Sequence, residues 1–204
     1  MSSATPTTVA VIGGPLVAGL GDGRGLGWVG RVTARTLPSL PDLRVFPLAV
    51  PQEDSSGLHA RTIAEASLRF TDDGDNRLVL ALGSGDLDSG RSVARARLDV
   101  ANVLDEALAR KVSAFVIGPP PEYNSERNRA IAELNTSFSD VAKRRGIAYV
   151  DTFTPLLGHP VWQREIASSR DHLPAQEGYG LLAWLVLHRG WFPWLGVQDA
   201  MGEA

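Results

Sequence analysis

Five short runs rich in β-branched and aliphatic residues punctuate the chain, at Val9–Ile12, Leu43–Val50, Arg77–Leu82, Ser113–Ile117 and Ile147–Val150. Each is followed by a longer stretch whose apolar residues recur near helical spacing. The runs are mostly apolar rather than alternating, which is the pattern of strands covered on both faces. Pro47 inside the second run removes a ladder donor and predicts that this strand lies at a sheet edge. Helices are predicted over 26–37, 56–70, 93–112, 124–145 and 177–188. In the third, Leu98, Val100, Ala101, Leu104, Leu108 and Val112 mark one side. The fourth ends on Lys143-Arg144-Arg145 before Gly146, a normal helix stop. This alternation predicts an α/β fold, with a five-stranded parallel sheet between helical layers. In such a sheet a ligand sits beyond the carboxyl ends of the strands. The segments that matter for function are therefore 13–24, 51–57, 83–90, 118–124 and 151–174.

The chain has 204 residues, 44% of them hydrophobic, which suits one domain with a full core. The expected division is a flexible N-terminus at 1–8, a single domain at 9–195 and a tail at 196–204. A net charge of −3 gives no electrostatic case for nucleic acid or an anionic membrane as partner. With no cysteine, disulfides, thiolate nucleophiles and Cys-ligated metals are excluded. The four histidines show neither His-x-x-His nor His-Glu-x-x-His spacing, so no metal site is expected. Neither a cleavable leader nor a spanning helix is apparent, because the longest apolar run is Leu181–Leu187. A cytoplasmic location is expected. Trp184, Trp191, Phe192 and Trp194 read as a core helix and a packed tail rather than a membrane-surface belt.

Eight of the 21 glycines lie between Gly13 and Gly30. Gly25-Leu-Gly27-Trp-Val-Gly30 has the form of a dinucleotide fingerprint. That fingerprint must directly follow its strand, so that backbone N–H groups meet a pyrophosphate, and here the strand ends more than ten residues earlier. A P-loop is absent. No cofactor is expected, and a nucleotide- or flavin-binding module is the weakest of three functional readings. Ser84, in Gly83-Ser-Gly-Asp86 after the third strand, is a candidate nucleophile outside any Gly-x-Ser-x-Gly elbow. Its simpler role is in a tight turn, with Asp86 capping the helix that follows. His172 is the histidine best placed in a loop, next to Asp171.

The order of these segments resembles the SGNH (GDSL) hydrolases. Val11-Ile12-Gly13-Gly14-Pro15-Leu16 followed by Ala18-Gly19-Leu20-Gly21-Asp22 is similar to their first block, Gly-Asp-Ser-Leu. Leu48–Pro51 lies where the second block begins, Gly83–Leu87 resembles the third, Gly-x-Asn-Asp, and Pro174–Tyr179 resembles the segment after Asp-x-x-His-Pro. The resemblance covers roughly 9–190. It implies a flavodoxin-like three-layer α/β/α sandwich and ester hydrolysis by a serine, a histidine base and an orienting aspartate. It also implies an oxyanion hole made of the serine N–H, a second-block glycine N–H and the third-block asparagine.

Carried over position by position, the resemblance implies a divergent member. Pro15 falls in the serine slot and offers neither hydroxyl nor N–H. Gly14 replaces the acid beside it, Gln52 or Glu53 the second-block glycine, and Gly85 the asparagine. Alignment on Pro174 puts Leu173 in the histidine slot and Arg170 in the aspartate slot, and a one-residue slip brings in Asp171 and His172. Two readings remain open. In the first, Gly13, Gly14, Pro15, Gln52, Gly85, Asp86, Arg170 and Leu173 line a pocket that binds a small molecule, an acyl ester or a protein partner without hydrolysis. In the second, Ser84 (or Ser55 or Ser56) is a displaced nucleophile, His172 its base, and Asp171 or Asp86 the orienting group.

Overall fold

The computed structural model describes residues 6–202. Residues 1–5 of the expected N-terminal segment and 203–204 of the expected tail lie outside the described residues. Five parallel strands, β1 (Thr7–Gly13), β2 (Arg44–Ala49), β3 (Asp75–Ala81), β4 (Ser113–Ile117) and β5 (Ala148–Val150), form one sheet in the order β2-β1-β3-β4-β5. This is the flavodoxin-like order, with its switch point between β1 and β3. Strand β2 is an edge, and its Pro47 pairs in register with Val11. Strand β1 begins two residues before the expected start, because Thr7 and Thr8 are buried and paired with Asp75 and Asn76 of β3.

The helices are α1 (Gly27–Thr36), α2 (Ser55–Ser67), α3 (Gly85–Asp88), α4 (Val93–Ala109), α5 (Ser125–Lys143), α6 (Phe153–Leu156), α7 (Pro160–Ser168), α8 (Gln176–Val186) and α9 (Phe192–Leu195). Short helices α3, α6 and α7 were not expected. The first two span about one turn each, too short for a helical period to declare itself. Side chains alternate across the pleat, so Val9 and Val11 enter one core and Ala10 and Ile12 the other. The first core packs Val32 of α1, Phe115, Trp162 of α7 and Tyr179 of α8. The second packs Ala66 of α2, Val100 and Leu104 of α4, and Phe138 of α5.

After α8 a π-type segment (Leu187–Trp191) turns the chain, with Gly190 at φ 106°. It brings Trp191 under the sheet, edge-on to Phe115 at 5.6 Å and donating its indole N–H to Thr36 Oγ1 at 2.9 Å. Trp191 and Phe192 are buried, whereas Trp184 is exposed and stacked on His188. The C-terminal segment is tied back through Asp199, whose carboxylate accepts from Arg35. No helix among the described residues is long and apolar enough to cross a membrane.

Candidate active site

A cleft of about 600 Å³ opens at the carboxyl ends of the strands. All five loops expected there contribute to its wall, through Gly14–Val17, Gln52 and Glu53, Gly83–Gly85, Gly118 with Pro120–Asn124, and Asp171–Pro174. Its depth comes from apolar side chains of the first core, including Trp28, Trp162, Leu182 and Val186. Of the expected pocket residues, Gly14, Pro15, Gln52, Gly85 and Leu173 line the cleft, whereas Gly13, Asp86 and Arg170 lie outside its wall. Ser84, Asp171 and His172 line it together.

The first-block loop is held by Asp22. Its carboxylate accepts the backbone N–H of Gly27, the first residue of α1, at 2.9 Å, and that of Arg24 at 3.0 Å. Leu26, at the helix cap, supplies no side-chain bond, so Asp22 caps α1 from outside it. Arg31 donates to the same carboxylate at 2.5 Å and, with the two N–H groups, holds Asp22 down at about 2. Tyr179 Oη, buried with its phenol pushed above its ordinary range, donates to Leu20 O at 2.6 Å. Gly19 and Gly27 touch backbone to backbone, and a Cβ on Gly19 would come within 2.8 Å of Gly27 Cα. The glycine cluster therefore folds a compact loop beside the cleft.

At Gly85 the second-block loop has moved into the space of a side chain. A Cβ there would lie 2.3 Å from Glu53 O and 2.7 Å from Glu53 C. Gly14 is open by contrast, with Val50 O the nearest atom at 3.9 Å. Glu53 is fixed by Arg61, which donates from Nε at 2.5 Å and Nη2 at 2.6 Å. Behind this contact Asp86 does not act as the expected helix cap. It is buried and accepts both the N–H of Ser55 (3.1 Å) and its hydroxyl (2.6 Å), which pins the third-block loop to α2. Burial raises its carboxyl above the ordinary range, against the opposing effect of the Ser55 bonds. Ser55 is buried here, and neither Ser55 nor Ser56 lines the cleft.

Ser84 donates its hydroxyl to Glu122 Oε1. Glu122 also accepts from Arg127 Nε at 2.7 Å, and Arg127 reaches Asp88 at 2.9 Å. The Pro119–Asn124 loop that carries Glu122 is rigidly held. Trp162 donates to Pro121 O at 3.0 Å, while Asn128 bonds both the N–H and the carbonyl of Glu122, at 2.8 and 2.9 Å.

His172 adopts φ 52°, one of three non-glycine residues in the left-handed region among the described residues, and Gln52 (φ 56°), which also lines the cleft, is another. Strained backbone at a cleft is a recurrent property of functional sites. The His172 ring lies parallel to Tyr123 at 4.6 Å between centroids. Its Nδ1 is 2.9 Å from Ile166 O; a carbonyl only accepts, so this contact places the proton on Nδ1 and leaves Nε2 as an acceptor. The Ile166 carbonyl thus does the orienting expected of Asp171, whose exposed carboxylate has no hydrogen-bond partner among the described residues. No hydroxyl is hydrogen-bonded to the His172 ring among them either.

The loop bearing His172 is anchored from below by Glu165 of α7. Its carboxylate accepts the N–H groups of Ala175 (2.8 Å), Glu177 (3.0 Å) and Gly178 (2.7 Å), the open donors of the first turn of α8. Sequence reasoning missed Glu122, Tyr123, Arg127 and Glu165. The first two lie in a segment flagged only by its place after β4, and Glu165 carries no local signal because its partners are ten or more residues away.

The GDSL-like lipase/acylhydrolase family model matches residues 11–181. The chain belongs to that family. Among curated proteins no relative matches it. Its fold is similar to the lipase/acylhydrolase from Enterococcus faecalis (20% identity, 97% of this chain and 100% of that one, TM-score 0.74). It is also similar to a catalytic mutant of Axe2, an acetylxylan esterase from Geobacillus stearothermophilus (16%, 95% and 98%, TM-score 0.73). A third likeness is to the psychrotrophic esterase EstA from Pseudoalteromonas sp. (16%, 93% and 98%, TM-score 0.70). At these identities the likeness is one of fold, and it spans both chains almost completely.

Proposed function

We propose that this family member binds a small molecule with an apolar portion in the cleft and does not run the family's serine chemistry there. The observation that carries this reading is that Pro15, which the resemblance puts in the serine slot, lines the cleft and has neither hydroxyl nor N–H. A tertiary amide can neither attack a carbonyl nor donate to an oxyanion. The filled space at Gly85 supports the same reading, because an asparagine side chain there would collide with the Glu53 backbone. Loss of one triad member leaves residual catalysis by the oxyanion hole in a typical serine hydrolase, and here its donors are displaced as well. The test is turnover of short-chain nitrophenyl esters by the pure protein. Rates indistinguishable from buffer are expected, and turnover clearly above buffer refutes the reading.

A second reading has its own observation, namely that Ser84, Asp171 and His172 share the cleft wall. Ser84 would then be a displaced nucleophile with His172 as base. The bond from Ser84 to Glu122 must break for this to happen, because a hydroxyl has one proton to give. If esterase activity is found, its abolition in both Ser84→Ala and His172→Ala supports this second reading, and its persistence in either rules it out.

A further inference from the structure

The cleft is apolar in its depth and acidic at its mouth, and these two properties together select a ligand. At 600 Å³ it lies within the range of sites that enclose a small organic molecule. Leu182 and Val186 carry no polar side-chain atom and the Trp162 indole N–H is already given to Pro121 O, so beside these side chains a ligand finds no polar partner. A group buried there must be apolar, because an unpaired polar group would lose its water without replacement.

The mouth has the opposite character. Glu53, Asp88, Glu122 and Asp171 line it, with the Glu53 side chain buried against Arg61 and the other three reaching solvent. The two guanidiniums beside it are each engaged by two carboxylates, Arg127 by Glu122 and Asp88, and Arg61 by Glu53 and Glu65. Neither of these two guanidiniums is therefore free to receive an anion. Three groups of the cleft wall suit a cationic ligand head. The Asp171 carboxylate is exposed, without an ion-pair partner among the described residues. The Nε2 of His172 is left as an acceptor by the Nδ1 contact with Ile166 O. The Tyr123 ring is 53% exposed and stacked on His172. A carboxylate, a ring-nitrogen acceptor and a π-face all attract cations.

We propose that the cleft takes a single-chain amphiphile with a cationic head, the chain between Trp28 and Trp162 and an ammonium group against Tyr123, Asp171 and His172. This rests on the binding reading of the preceding subsection and names its ligand class. A fatty carboxylate of the same length would meet the Asp171 carboxylate and is expected to bind more weakly.

The experiment is isothermal titration calorimetry of the full chain with decyltrimethylammonium and with decanoate, both below their micelle concentrations, at neutral pH. Decyltrimethylammonium is expected to bind at least tenfold more tightly than decanoate, and to weaken about tenfold when shortened by two carbons. In Asp171→Asn and in Tyr123→Leu, both surface changes that leave the core intact, the preference over decanoate should fall to threefold or less. Equal or tighter binding of decanoate, no heat with either ligand, no dependence on chain length, or an unchanged preference in both variants overturns the proposal. Ester turnover would defeat the non-hydrolytic reading without altering this head-group preference, so the two failures are distinguishable.

Discussion

The carboxylate of Glu165 on α7 accepts the backbone N–H of Gly178 on α8 at 2.7 Å, the shortest of the three bonds by which it closes that helix's first turn. It does for α8 what a local cap does elsewhere, but from another helix, and so it fastens the Asp171–Pro174 loop to the body of the domain. A Cβ on Gly178 would lie 2.7 Å from Glu165 Oε2, so glycine is what allows this approach. Glu165→Ala is expected to destabilise the fold by about 2 kcal/mol, since three donors lose a charged acceptor and only water replaces it. Glu165→Gln, which keeps one acceptor oxygen, should cost roughly half of that. Thermal denaturation measures the loss. Hydrogen exchange should localise it to the N–H groups of Ala175, Glu177 and Gly178.

Asp22 and Asp86 titrate in opposite senses, and their contributions to stability should run oppositely with pH. Asp22 is held at about 2 in the folded state, against 3.8 for a free side chain, by Arg31 and two backbone donors. The folded state therefore favours the ionised form, and the stabilisation is present above about 4 and disappears as pH falls towards 2. The shift corresponds to about 2 kcal/mol. Asp22→Asn should accordingly be less stable than the parent at pH 7, and the gap should close by pH 2 in denaturant titrations.

For Asp86 the folded state favours the protonated form, because burial opposes the charge. Its contribution is most favourable below 3.8 and declines as pH rises through the raised folded value. Asp86→Asn keeps an oxygen to accept from Ser55 and removes the buried charge. Relative to the parent, this variant should gain stability as pH rises from 4 to 7. A parallel pH profile for the two proteins would show that Asp86 pays no burial penalty.

Gly85→Asn should destabilise the protein by about 2–3 kcal/mol, because the new Cβ falls 2.3 Å from the Glu53 carbonyl oxygen and the backbone must move. The same variant should remain without esterase activity. Gly14→Asp, where only Val50 O lies near, at 3.9 Å, should be tolerated within about 0.5 kcal/mol. Chemical denaturation of the two variants side by side measures the contrast.

The sheet was legible because its signal is local. Each strand contains a short, mostly apolar run, and Pro47 betrayed the edge by the donor it lacks. The five loops at the strand ends were legible for the same reason, since the topology of a parallel sheet dictates which loops converge. What these loops do to one another was not legible. Ser84 and Glu122 are 38 positions apart, Arg61 and Glu53 are brought together by α2, and the stacking of Tyr123 on His172 depends on a left-handed backbone that only the folded chain imposes. Asp171 beside His172 suggested an orienting pair. The backbone carbonyl of Ile166 does that work instead, and a carbonyl acceptor leaves no trace in residue identity.

With Pro15 at the position that the resemblance gives to the serine, the cleft is proposed to lack an activated nucleophile. Intact-mass spectrometry after incubation with an excess of a fluorophosphonate, which labels activated serines irrespective of their position, tests it most directly. An unmodified mass is expected. Stoichiometric addition of one phosphonyl group, lost in Ser84→Ala, would contradict it and establish Ser84 as a working nucleophile.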